Sequence, residues 1–171
     1  MFSIVFYQPE IPPNTGNAMR LAAVTGCSLD LIEPLGYEMD DARLRRAGMD
    51  YRDRASFEVH PDLESWRAKR SPRRTFAFTV DGEVGYHDVR YQPGDALLFG
   101  PESVGLPDEV KASDWITARV YLPMVPDVRS INLSNATAIV VSEAWRQLEF
   151  TGARQPPSAR EGSADGSSAG Q

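Results

Sequence analysis

Residues 2–26 read FSIVFYQPEIPPNTGNAMRLAAVTG, and this stretch decides the fold class. Phe2 to Tyr7 is short and apolar, as in a strand buried on both faces of a parallel sheet. Thr15 to Thr25 then carries helical spacing, with Asn14 or Thr15 as N-cap after Pro12-Pro13 and Gly26 as the C-terminal stop. The same alternation continues outward. Strand-like runs recur at Ser28 to Glu33, Ser56 to His60, Thr75 to Val80, Asp95 to Phe99 and Thr117 to Leu122. Helical patterns fill Glu38 to Ala47, Leu63 to Arg70, Leu106 to Ala112 and Leu133 to Glu149. Strands alternating with helices predict an α/β fold, a parallel sheet flanked by helices.

That class says where to look for chemistry. In an open parallel sheet, ligands gather beyond the carboxyl ends of the strands, so the first strand-helix loop and the turn that follows carry weight. Asn14, Asn17 and Arg20 are the polar residues there, and Asn17 and Arg20 share one helical face. Two later loops follow apolar strands: FGPESVGLP at 99–107 and LPMVPDVRSINLSNA at 122–136. Glycine lets backbone approach a ligand closely, and proline fixes the directions of the loop amides and carbonyls. Such loops suit a flat heterocycle such as adenine, whose edge backbone groups can read while Leu122, Met124 and Leu133 cover its faces. Glu102 is the acidic group of this set.

Several familiar chemistries fail on inventory. The 99–107 loop lacks the Lys-Ser/Thr of a phosphate-binding P-loop and does not match the dinucleotide glycine fingerprint. With two histidines and one cysteine, no zinc site built from nitrogen and sulfur ligands can be assembled, so no metal is expected. Ser103 is not in a nucleophile elbow and has no evident histidine base.

Composition sets the outer limits. The chain has 171 residues, 42% of them hydrophobic, enough for one domain over residues 1–150 without disulfides or structural metal. Residues 151–171 contain no large apolar side chain and are expected to form a disordered tail. A lone Cys27, no signal-like start and no apolar run near the ~20 residues a bilayer span needs predict a cytoplasmic protein without membrane contact. Net charge is −6, yet Asp40 to Arg74 holds ten basic residues against seven acidic ones. A basic face on an acidic protein still attracts phosphate, and 16 of the 18 cations are arginine, the side chain suited to bidentate phosphate contacts. The helix over Leu133 to Glu149 carries an apolar coat wider than the single stripe a surface helix needs, which predicts burial by the sheet and by a second subunit.

The stretch IVFYQPEIPPNTGNAMRLAAVTG, the run DDARLRRAGMDY, the loop FGPESVGLP and the segment LPMVPDVRSINLSNA together resemble the SPOUT class of S-adenosylmethionine-dependent RNA methyltransferases. More narrowly they are similar to the small tRNA (cytidine/uridine-2′-O-)-methyltransferases that act on the wobble nucleotide, position 34, of certain leucine tRNAs. The resemblance spans Phe2 to about Phe150. It implies a deep trefoil knot over roughly Thr75 to Glu149 and a homodimer that binds the tRNA anticodon loop. It further implies cofactor contacts at Phe78, Thr79, Gly100, Glu102, Leu122, Met124, Ser130 and Leu133. Asn14, Arg20, Ser134 and Asn135 fall on the family's catalytic positions and Asn132 on a substrate position. Arg43, Arg45, Arg46 and Arg129 are the expected RNA phosphate contacts. Arg20 is expected to contact the reacting ribose or its phosphate and stabilise developing oxyanion character. The competing expectations are a 2′-O-methyltransferase of the same class acting on another RNA, such as ribosomal RNA, and a non-catalytic RNA-binding protein of the same fold.

Overall fold

The computed structural model describes residues 1–38 and 56–154. Along the chain run β1 (Ser3–Tyr7), α1 (Pro12–Thr25), β2 (Ser28–Ile32), β3 (Ser56–His60), α2 (Leu63–Arg70), β4 (Thr75–Phe78), β5 (Val84–Gly85), β6 (Ala96–Phe99), α3 (Asp108–Lys111), β7 (Ala118–Tyr121) and α4 (Leu133–Gln147). The seven strands form one sheet in the order β3-β2-β1-β6-β4-β7-β5, and every pairing is parallel.

Side chains of a strand point alternately to the two faces, and both faces here are covered. Ile4, Phe6, Leu29, Leu31, Phe76, Phe78, Leu97 and Phe99 join Met19 and Ala22 of α1 and Val140, Val141 and Ala144 of α4 in one core. Val5, Ile32, Ala77, Ala96 and Leu98 face the other way, toward Trp66 of α2, Leu106 and Val110. The sheet is thus the middle of three layers.

One polar residue breaks that second face. Asp30, fully buried in the middle of β2, accepts from Ser3 Oγ at 2.6 Å, His60 Nε2 at 3.0 Å, Trp66 Nε1 at 3.4 Å, and Arg70 Nε and Nη2 at 2.9 and 2.6 Å. A buried carboxylate persists only when it is paired and hydrogen-bonded, and here five donors meet that demand. Asp30, Glu58 and His60 bring ligand atoms within 4.8 Å of one another, but the cation placed among them is the Arg70 guanidinium, 2.6 Å from Asp30 and 3.1 Å from Glu58.

The structure corrects several local expectations. α1 starts at Pro12, not Thr15, and its N-cap is Ile11 with no side-chain cap, so Asn14 lies inside the first turn and is buried. The helix expected over Leu106 to Ala112 shrinks to Asp108–Lys111 because Pro107 stands at its N-cap. β5 was not predicted: two residues with a single side chain leave no alternation to read. Thr151, placed in the tail, is tied to α4, since its carbonyl accepts from Trp145 Nε1 at 3.0 Å and its hydroxyl donates to the Leu148 carbonyl at 2.6 Å. The rest of the expected tail, from 155 on, and nearly all of the helix expected over Glu38 to Ala47 lie outside the described residues. α2 matches its expected span, capped by Asp62, whose side chain accepts from Ser65 N at 2.7 Å.

Candidate active site

Because every strand is parallel, the loops after β1, β4, β6 and β7 leave from one edge of the sheet. β1 and β6 are neighbours, so the 8–11 and 100–107 loops meet there. The start of α1 shows how tightly. Pro12 and Pro13 have no N–H to satisfy, and the amides of Glu10 and Ile11 need a partner from outside the helix. Glu102 provides it: its carboxylate accepts from Glu10 N at 2.8 Å, Ile11 N at 3.2 Å and Asn14 Nδ2 at 2.7 Å. A negative group at this helix end also meets the positive end of the helix dipole.

From Asn14 the network crosses to α4. Asn14 Oδ1 accepts from Asn132 Nδ2 at 3.0 Å. Asn132 is the N-cap of α4, its Oδ1 accepting from Ser134 N at 3.0 Å, Ser134 Oγ at 2.8 Å and Asn135 N at 3.3 Å. Ser134 Oγ in turn accepts from Asn17 Nδ2 at 3.3 Å. Glu102, Asn14, Asn132, Ser134 and Asn17 therefore form one continuous polar chain across three elements. Asn132, not Ser134 or Asn135, does the capping, which leaves the Asn135 side chain exposed.

Beneath this network lies an aromatic floor. Phe99 stacks on Phe78 at 4.7 Å and meets Phe6 edge-on at 6.0 Å. Leu133 is buried beside them in the same core, and Leu122 packs against it half-buried. Residues 123–131 belong to no helix or strand and carry one turn, at 126–127, so most of their amides and carbonyls are left for solvent or a ligand. Met124, Arg129 and Ser130 are exposed on that run. Gly100 permits the tight return of its loop, where an added Cβ would sit 2.3 Å from Leu106 N. After β4, Thr79 Oγ1 donates to Asp81, and Lys111 reaches Asp81 at 2.9 Å; these bonds, that of Thr79 foremost, hold the Asp81 carboxyl down at about 2. On the outer side of α1, Thr15 bonds the Tyr37 hydroxyl at 2.5 Å, and burial pushes that phenol up to about 12.

Of the residues singled out in the sequence, the structure thus joins Asn14, Glu102, Asn132 and Ser134 directly. Phe78, Thr79, Gly100, Leu122, Met124, Ser130 and Leu133 lie at the same edge. Arg20 is exposed on α1, six residues beyond Asn14, about 9 Å along the helix axis. Arg43, Arg45 and Arg46 lie outside the described residues. The other half of the basic segment is largely neutralised within the chain. Lys69 bonds Glu58, Arg70 bonds Asp30, Arg74 clamps Asp95 at 2.6 and 2.8 Å, and Arg67 lies over Trp115 at 4.6 Å. Moreover, residues 71–74 lead into the amino end of β4, at the edge opposite the loops. Glu10 and Ser103 belong to the site yet carry no sequence signal beyond an acid ahead of two prolines; the Glu10 carboxylate accepts from Ser103 N at 2.9 Å and Oγ at 2.7 Å.

Comparison with known proteins agrees with this architecture. A tRNA (cytidine(34)-2′-O)-methyltransferase of Escherichia coli strain K12 is 50% identical over 153 residues, covering 90% of this chain and 98% of the relative. One from Burkholderia cenocepacia is 52% identical over 154 residues, covering 89% and 99%. A solved structure described as giving insights into the 2-OH methylation of C/U34 on tRNA superposes with a TM-score of 0.81 at 42% identity, over 87% of this chain and 97% of that one. An AdoMet-bound rRNA methyltransferase from Sinorhizobium meliloti shares the fold at a TM-score of 0.76 and 24% identity, over 86% of this chain and 56% of that one. The model of the SpoU rRNA Methylase family matches residues 1–142. On that match, and on relatives about half identical along nine tenths of its length, the chain belongs to the SpoU rRNA Methylase family.

Proposed function

We propose that this protein transfers a methyl group from S-adenosylmethionine to the ribose 2′-hydroxyl of nucleotide 34 in tRNA, with leucine isoacceptors as its targets in the cytoplasm. The observation that carries the reading is the identity of about half over nearly the whole chain to enzymes named for this reaction. What supports the donor is an aromatic and aliphatic floor for adenine, and the irregular backbone of 123–131 to read its edge. Phe78, Thr79, Gly100, Glu102, Leu122, Met124, Ser130 and Leu133 are the proposed binding residues. When bound, the donor supplies a methyl already activated by its sulfonium charge.

What the chain must do is orient the hydroxyl in line with that methyl and ease loss of its proton to solvent or a base. Arg20, exposed on α1, stabilises negative charge developing on the 2′ oxygen. Asn132 and Ser134, fixed by the polar chain from Glu102, hold the α4 start, while the exposed Asn135 side chain is available to the ribose. Arg129 and the arginines at 43–46 contact anticodon-loop phosphates. Incubating the protein with tritiated donor and tRNA, then mapping the methylated ribose, is expected to find label on nucleotide 34; label elsewhere, or none, refutes the reading.

The trefoil knot over roughly 75–149 belongs to the same proposal. Its support is the strand order: β7 lies beyond β4 and β6, and the chain must recross both to bring α4 against α1. A homodimer is proposed on the outer face of α4. The inner stripe of Leu133, Thr137, Val140, Val141 and Ala144 is used within the chain. Ile139 and Phe150 remain 38% and 45% exposed beside Ala138, Ser142 and Tyr86. Ile139→Glu is expected to convert a dimer to a monomer in sedimentation; a dimer of unchanged affinity would place the interface elsewhere.

A further inference from the structure

The 100–107 loop closes on itself. Gly105 N donates to the Pro101 carbonyl at 2.9 Å, and Leu106 anchors the far end in the core. Its tip, Glu102 and Ser103, touches the rest of the protein through Asn14 Nδ2 of α1 and through a reciprocal exchange with the β1–α1 loop. The Glu102 carboxylate accepts from the Glu10 and Ile11 amides, and the Glu10 carboxylate accepts from Ser103 N and Oγ. Glu10 is itself backed firmly. Gly36 N donates to the Pro9 carbonyl at 2.9 Å, and a Cβ on Gly36 would come within 2.7 Å of Glu10 Cα. The carboxylate therefore projects from a braced backbone and meets two donors of one residue with its two oxygens. Glutamine could accept one of them but would turn an amide N–H toward the other.

We infer that Glu10 is a positioning residue for methyl transfer: its carboxylate holds the Glu102–Ser103 turn in the form in which the 100–107 backbone receives the donor. This rests on the proposed reading of that loop as donor-binding. Glu10 is exposed, so water and salt weaken its bonds, and its loss loosens the loop without unfolding the domain.

The experiment is calorimetry with S-adenosylmethionine and its demethylated product on wild type, Glu10→Gln, Ser103→Ala and the double variant, alongside melting and steady-state kinetics. Glu10→Gln is expected to weaken donor binding about five- to tenfold. The loss should appear in the donor KM, with kcat at saturating donor retained and melting unchanged. Ser103→Ala should lose less, and the double variant no more than Glu10→Gln alone, because both act on one contact. Wild-type affinity in Glu10→Gln, a loss confined to melting, or multiplied losses in the double variant would overturn the inference. Should Glu10→Gln fail to fold, Ser103→Ala carries the test: weakened donor binding with unchanged melting supports the inference, and wild-type binding overturns it. Absence of donor binding by the wild type would instead remove the proposed function itself.

Discussion

Arg20→Ala is expected to lose methyl transfer by roughly 10²- to 10³-fold while binding the donor as tightly as wild type. The side chain is exposed, and α1 is held by Asn14, Thr15, Ala18, Met19 and Ala22 on its other faces, so truncation removes a cation without opening the core. Lysine at the position keeps the charge but not the planar fork, and is expected to restore only part of the rate. Turnover with saturating tRNA and donor, set beside calorimetry on the same samples, separates the two effects. Equal turnover in Arg20→Ala would take this residue out of the chemistry.

Asp30→Ala is expected to produce the largest loss of stability, about 3–5 kcal/mol, because it strands a half-buried guanidinium and the N–H groups of His60 and Trp66 against an apolar face. For a chain of this length that corresponds to a fall in melting temperature of roughly 10 °C. Asp30→Asn keeps the shape but not the charge and should recover part of the loss. Donor affinity measured well below the transition should stay near wild type, since the cluster lies on the α2 face, away from the loops at the carboxyl edge. A melting temperature within about 2 °C of wild type would mean that the five donors find other partners.

The sheet was legible in the sequence because its strands are buried on both faces. Val5, Phe6, Leu97 and Leu98 are wholly buried, and continuous apolar runs announce that without any knowledge of partners. Their order in the sheet was not legible, since β1 pairs with β6 across some ninety residues and no local spacing encodes it. The start of α1 was misread for a related reason. Asn14 is a good cap type, but Pro12 and Pro13 lack the amides a cap would satisfy, and a glutamate far along the chain takes the two that remain. Four of the residues in the family motifs, Asn14, Glu102, Asn132 and Ser134, lie in one hydrogen-bonded network. What the motifs did not reveal was that these residues bond one another in sequence. Charge counting was least informative: Arg70 and Arg74 contribute to the basic excess of their segment, yet each is clamped on a buried aspartate.

Parallel pairing of the first strand with the sixth has a consequence for synthesis. On the ribosome, Ser3–Tyr7 emerges ahead of the other described strands and gains Ser28–Ile32 on one side within a few seconds. Its other side stays bare until Ala96–Phe99 has been made, roughly 5–20 s later at ordinary elongation rates. During that wait the nascent chain carries a strand with an apolar centre, Ile4 to Phe6, and an open edge, the feature that recruits chaperones or a neighbouring nascent chain. Slowing translation before residue 96 should therefore lower the soluble yield of this protein more than the same delay placed after residue 121.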